Sequence, residues 1–205
     1  MADNQGLKPI YIEQLFRSKN PGVAKMIPGF IYSYLKKVIH QDDINDFITR
    51  YGDRKGLDFS DAILEYLHVS YQVIGEANLP SPDGRYIFVS NHPLGGPDGI
   101  ILISFLGTRY PELKFPVNDL LLNLKNLNNI FLPVNKHGAQ AKDAVSALED
   151  AYASDCQMIM FPGLVSRKQQ GIIQDLEWQK SFVSKAIQHR RDIVPIFIDG
   201  RNSNF

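Results

Sequence analysis

The rhythm of apolar and polar positions changes near residue 80. Residues 8 to about 80 carry apolar side chains at helical spacing, punctuated by Pro21-Gly22, Pro28-Gly29 and Tyr51-Gly52, and residues 61–71 continue as an amphipathic helix. From Asn78 onward short apolar runs take over. The turn cluster Pro80-Ser81-Pro82-Asp83-Gly84 leads into Tyr86-Ile87-Phe88-Val89-Ser90, whose aromatic and β-branched content predicts a buried strand. Further strands are predicted over 113–117, 130–134, 158–161 and 193–198, with helices over 100–110, 120–125, 139–153 and 178–189. Strands alternating with helices predict an α/β fold with a largely parallel sheet flanked by helices, preceded by an N-terminal helical region. The chain divides on this reading into residues 1–80, a helical region for which membrane contact is one of two readings, and residues 81–205, the α/β domain.

In parallel sheets a site forms where the strands end at their carboxyl side. Asn91 and His92, Asn135 and Lys136, residues 162–167 and residues 199–202 all fall just after predicted strands, so they converge on one cleft. The first of these loops is the most informative. His92 and Asp98 flank the turn Pro93-Leu94-Gly95-Gly96-Pro97, and a carboxylate on one imidazole nitrogen makes the other a usable base near neutral pH. The two can meet only if the chain folds back. Gly95 and Gly96 permit the backbone angles, and Pro97 suits the first turn of a helix with Asp98 at its positive end. The same residues also describe a plain strand-to-helix turn with an exposed histidine, and local chemistry leaves both readings open. A metal site on His92 and Asp98 lacks a third ligand nearby, and none is expected. His40, His68, His137 and His189 have no comparable partner in sequence and are read as surface or packing residues, and Trp178 as a core or interface anchor.

Composition narrows the function classes. The 22 basic and 22 acidic residues cancel, so nothing in the global charge points to nucleic acid. A single cysteine, Cys156, excludes an internal disulfide and a cysteine metal cluster, and suits a reducing compartment. The polar start Met1-Ala2-Asp3-Asn4-Gln5 is unlike a signal peptide, and no apolar run approaches the roughly 20 residues that span a bilayer. Membrane contact is therefore expected to be peripheral. Between Leu15 and Gln41 lie Arg17, Lys19, Lys25, Lys36 and Lys37 with no acid, interleaved with Met26, Phe30, Tyr32 and Tyr34. Such a stretch either lies in a membrane interface or packs on the core with a solvated basic face.

Four motifs in order carry a family resemblance over roughly residues 86–205: Asn91-His92 with Asp98; Phe131-Leu132-Pro133-Val134; Phe161-Pro162-Gly163-Leu164-Val165-Ser166-Arg167; and Val194-Pro195 followed by Gly200-Arg201-Asn202-Ser203. Together they resemble the phospholipid/glycerol acyltransferase family, and within it the bacterial lyso-ornithine and lyso-glycine lipid O-acyltransferases, a branch often labelled hemolysins. The resemblance implies transfer of a fatty acyl group from acyl carrier protein or coenzyme A to the hydroxyl of a lyso-lipid, with no further cofactor. It implies His92 as general base, oriented by Asp98, and substrate contacts from Asn91, Gly95, Gly96, Asn135, Lys136, Ser166, Arg167 and Arg201. Arg167 and Arg201 are anion-binding candidates, for a lipid carboxylate or a phosphopantetheine phosphate, with structural ion pairs as the other reading. A cytoplasmic protein on the inner face of the cytoplasmic membrane is implied.

The sequence also departs from the family. Five residues separate His92 from Asp98 where the family has four, so the turn is expected to bulge. Phe161-Pro162-Gly163 lacks the glutamate of glycerol-phosphate acyltransferases, which points away from glycerol phosphate and towards an amino-acid lipid. The second motif lacks the usual arginine. The chain stops at Phe205, just past the last motif, so a domain shortened at its C-terminus is expected. Two other functions remain open from sequence: a non-catalytic lipid-binding or membrane-associating protein, and a thioesterase or lipid hydrolase using water as acceptor.

Overall fold

The computed structural model describes residues 9–19, 21–118, 121–134, 141–169 and 172–200. The chain forms two compact units, Met1–Arg54 and Lys55–Phe205, dividing earlier than the change of pattern at residue 80. The first unit holds α1 (Ile12–Lys19), α2 (Pro21–Met26), α3 (Gly29–Val38) and α4 (Gln41–Tyr51). Its start is tied down by side chains of α4: the Ile10 amide donates to Asn45 Oδ1 at 2.7 Å and the Ile12 amide to Gln41 Oε1 at 2.9 Å. Buried Tyr32 packs edge-on against Phe16 and donates its hydroxyl to the Ala24 carbonyl at 3.0 Å.

The second unit opens with α5 (Gly56–Tyr66) and then runs β1 (Tyr86–Ser90), α6 (Gly96–Gly107), β2 (Leu113–Val117), β3 (Phe131–Pro133), α7 (Ala141–Ala153) and β4 (Gln157–Met160). A short antiparallel hairpin, β5 (Arg167–Gln169) with β6 (Ile172–Gln174), precedes α8 (Ser181–His189) and β7 (Asp192–Ile196). Five strands form one parallel sheet in the order β3-β2-β4-β1-β7. The α/β fold expected from alternation is therefore present, with its helical N-terminal region.

Burial follows the two faces of β1. Ile87 and Val89 join Ala151, Tyr152, Met158 and Ala186 in a core completed by Trp178 and Phe182. On the opposite face Tyr86 and Phe88 meet Tyr110, with ring centroids 6.2 Å and 5.0 Å away. Buried on both faces, β1 needs the continuous apolar run that the sequence supplies.

Several boundaries differ from the pattern reading. Helix ends at Tyr66, and only the single turn Glu76–Asn78 follows before β1. Of the helix expected over 120–125 the described residues form only the 3-10 turns Leu121–Asn123 and Lys125–Leu127, because Asn123, Asn126 and Asn128 favour turns over a continuous helix. Helix α6 starts at Gly96, not Ile100, since Pro97 and Asp98 already provide a helix start.

At the amino end of the sheet two arginines act on carbonyl groups. Buried Arg191 donates to the carbonyls of Ala151, Tyr152 and Cys156. Arg85 donates to those of Ala153 and His189. Burial lowers the Arg191 guanidinium from its ordinary value. Nearby, Glu149 accepts from Lys185 and from His189 Nε2, the latter at 3.1 Å, and the Lys185 bond chiefly holds its carboxyl below the usual range. Burial pushes the Tyr152 phenol up to about 12.

Candidate active site

The opposite, carboxyl end of β1 carries the loop singled out by sequence. His92 and Asp98 close on one another: Nδ1 of the imidazole lies 2.9 Å from Asp98 Oδ2. The same oxygen accepts from the amides of Leu94 at 2.8 Å and Gly95 at 3.1 Å. Three donors on one oxygen, at the first turn of α6, offset the cost of burying this carboxylate completely. Asp98 Oδ1 is buried and has no partner among the described residues. Gly95 makes the fold-back possible. Its φ of +81° with ψ −123° is open to glycine and strained for any side chain, so the five-residue spacing is absorbed at this position. Gly96 is the first residue of α6.

The imidazole is 18% exposed, and among the described residues its Nε2 has no hydrogen-bond partner. With Nδ1 donating to the carboxylate, Nε2 is left as the acceptor nitrogen. This arrangement can take a proton from a bound hydroxyl and hold the resulting positive charge against Asp98.

Neighbouring loops join this edge. Asn91 uses its carboxamide as a piece of backbone: Nδ2 donates to the Ile198 carbonyl at 2.8 Å and Oδ1 accepts from the Ile198 amide at 2.7 Å. The β1–β7 ladder is thereby prolonged past the ends of the strands. Gly200 lets the chain pass close to Leu94, whose Cδ1 would sit 3.0 Å from an added Cβ. In the third motif the Ser166 amide donates to the His92 carbonyl at 2.9 Å, and the Ser166 hydroxyl donates to Asp175. Asp175 also accepts from Trp178 Nε1 at 3.2 Å. An acid thus reaches this motif from nine residues downstream, which the sequence reading missed because the hairpin β5–β6 lies between. Arg167 is exposed at the start of β5. Asn135, Lys136 and Arg201 lie outside the described residues, as does His137.

Sequence reasoning gave Phe161 no task of its own, yet its ring stacks on His92 with centroids 4.0 Å apart and planes 11° from parallel. Two of the other histidines, His40 and His189, are better partnered than their sequence neighbours suggested. His40 Nδ1 is 2.9 Å from Asp43 on an exposed helix start, and His189 pairs with Glu149. Trp178 packs on the core and edge-on to Phe182.

The chain is 50% identical over 198 residues to a lyso-glycine lipid O-acyltransferase of Bacteroides thetaiotaomicron, covering 96% of this chain and 72% of that protein. It is 46% identical over 198 residues to a lyso-glycine lipid O-acyltransferase of Phocaeicola vulgatus, covering 96% of this chain and 71% of that one. No solved structure matches. The acyltransferase family profile matches residues 14–205, and the chain belongs to this acyltransferase family.

Proposed function

We propose that this chain transfers a fatty acyl group from a thioester, on acyl carrier protein or coenzyme A, to the hydroxyl of a lyso-lipid, and that the acceptor is an amino-acid lipid of the lyso-glycine kind. The observation that carries the reading is the closed His92–Asp98 pair with Nε2 left open, in a chain half identical to a lyso-glycine lipid O-acyltransferase. Nε2 takes the acceptor's hydroxyl proton as its oxygen attacks the thioester carbonyl carbon. The tetrahedral adduct then expels the thiolate, which recovers the proton from the imidazolium. One C–O bond forms, one C–S bond breaks, and His92 returns to its starting state. No acyl-enzyme is required. Exposed Arg167, with Lys136 and Arg201, supplies cationic groups for the acceptor carboxylate or the donor's phosphate.

The acceptor is a bilayer component, and we assign the first unit a peripheral contact at the inner face of the cytoplasmic membrane. No helix among the described residues is long and apolar enough to cross a membrane. Helix α3 exposes Phe30, Tyr34 and Val38 at four-residue spacing, Met26 is exposed just before it, and Lys25, Lys36 and Lys37 flank the row. An apolar stripe with a cationic border suits an anionic interface.

The test is an acyl-transfer assay with palmitoyl thioesters of coenzyme A and of acyl carrier protein, with and without lyso-glycine lipid, in anionic vesicles. Acylated glycine lipid is the expected product, formed by the wild type and lost in His92→Ala. Free fatty acid released equally without acceptor would mean a hydrolase. Vesicle binding without turnover would mean a lipid-binding protein.

A further inference from the structure

We propose that Phe161 is a positioning residue for His92: its ring fixes the plane of the imidazole so that Nε2 points at the acceptor hydroxyl. This rests on His92 being the base. A hydrogen bond from Nδ1 to Asp98 fixes one atom of the ring and leaves the plane free to swing about that line. A face contact removes this freedom. Phe161 supplies it at 4.0 Å and 11°, a geometry that follows from the parallel register of β1 and β4, in which Val89 faces Met160. His92 and Phe161 therefore emerge side by side at the same end of the sheet.

Phe161 is in turn held from behind. Phe115 meets it edge-on at 5.5 Å and 75°, and Phe131 meets Phe115 at 5.9 Å and 72°. Phe115 also touches the helix that carries the carboxylate: a Cβ added at Gly99 would lie 2.7 Å from Phe115 Cε1. Gly99, next to Asp98 in the first turn of α6, and Phe161, just past the end of β4, thus bear on a common spacer. Their spacing, and with it the slot that receives the imidazole, is set by aromatic packing. The negative face of the phenyl ring also favours the positive charge that builds on the imidazole as the proton moves. Proton transfer is sensitive to small misplacements of the base, so a loosened ring costs turnover more than binding.

The experiment compares wild type, Phe161→Leu, Phe161→Tyr and His92→Ala in the acyl-transfer assay, with nitrogen-15 NMR of labelled histidine. Phe161→Leu is expected to lose about tenfold to a hundredfold in kcat with KM for donor and acceptor nearly unchanged. Phe161→Tyr, which keeps the flat ring, should recover most of the rate. The His92 ring-nitrogen signals should broaden or move in the leucine variant and remain in place in the tyrosine variant. If Phe161→Leu does not fold, Phe161→Met is read the same way, since methionine fills the volume without a plane. Unchanged kcat in the leucine or methionine variant, while His92→Ala is inactive, overturns the positioning role alone. Full turnover in His92→Ala overturns the base assignment and this inference with it.

Discussion

The two ends of the sheet each carry a histidine bonded to a carboxylate at about the same distance, 2.9 Å for His92–Asp98 and 3.1 Å for His189–Glu149, yet their surroundings differ. At the carboxyl end Asp98 is fully buried, takes Nδ1, and among the described residues its other partners are backbone amides alone. At the amino end Glu149 is 36% exposed, bonds Nε2, and is already neutralised by Lys185. A base needs a partner whose charge is not spent elsewhere and a second nitrogen facing the substrate. The distance between ring and carboxylate does not distinguish these cases; what else the carboxylate holds does.

Substitutions at the two ends should separate activity from stability. The largest expected effect is at His92: His92→Ala should lower kcat/KM by about 10³-fold with little change in thermal midpoint, whereas His189→Ala should leave kcat/KM within about twofold, both read in the transfer assay. Next is Arg191. Arg191→Met removes donors from the carbonyls of Ala151, Tyr152, Cys156, Tyr86 and Ser154, and urea unfolding should show a loss of at least about 3 kcal/mol, with normal turnover in the folded fraction. Asp98→Asn keeps an acceptor for the Leu94 and Gly95 amides but removes the charge that faces the imidazolium. About a hundredfold loss of kcat is expected, with folding largely retained by circular dichroism.

The smallest effect belongs to Glu149. Its pKa is lowered by Lys185, so its contribution to stability is present above the ordinary glutamate range and is lost as pH falls through its lowered folded value. The pair is partly exposed, and Glu149→Gln should cost about 1 kcal/mol or less at pH 7 and flatten the acid limb of a pH–stability curve. At alkaline pH the sign reverses: the raised Tyr152 phenol makes stability fall from pH 10 to about 12, and Tyr152→Phe should remove that decline.

Local pattern made part of this architecture legible. The strands at 86–90 and 113–117 match the apolar runs residue for residue, because turn-forming residues bound them on both sides. The His92–Asp98 pair was readable because all its determinants, two glycines, a proline and the acid, lie within seven residues. Contacts between distant segments were not. Asn91 finds Ile198 across 107 positions, and nothing near Asn91 in sequence encodes that bond. The hairpin β5–β6 was missed because Arg167-Lys168-Gln169 has no apolar alternation. Phe161 was legible as a motif residue, but its stacking on His92 depends on the order of strands, which periodicity does not report.

The carboxamide clasp between Asn91 and Ile198 has a consequence for assembly. Beyond the ends of the strands, the loop after β1 is anchored by backbone that follows β7, 107 positions further along the chain. During synthesis β1, α6 and β4 can pair while Asn91 still lacks its partner, and long-range parallel pairing is slow to form. The loop between β1 and α6 therefore stays untied until β7 has been made and has joined the sheet.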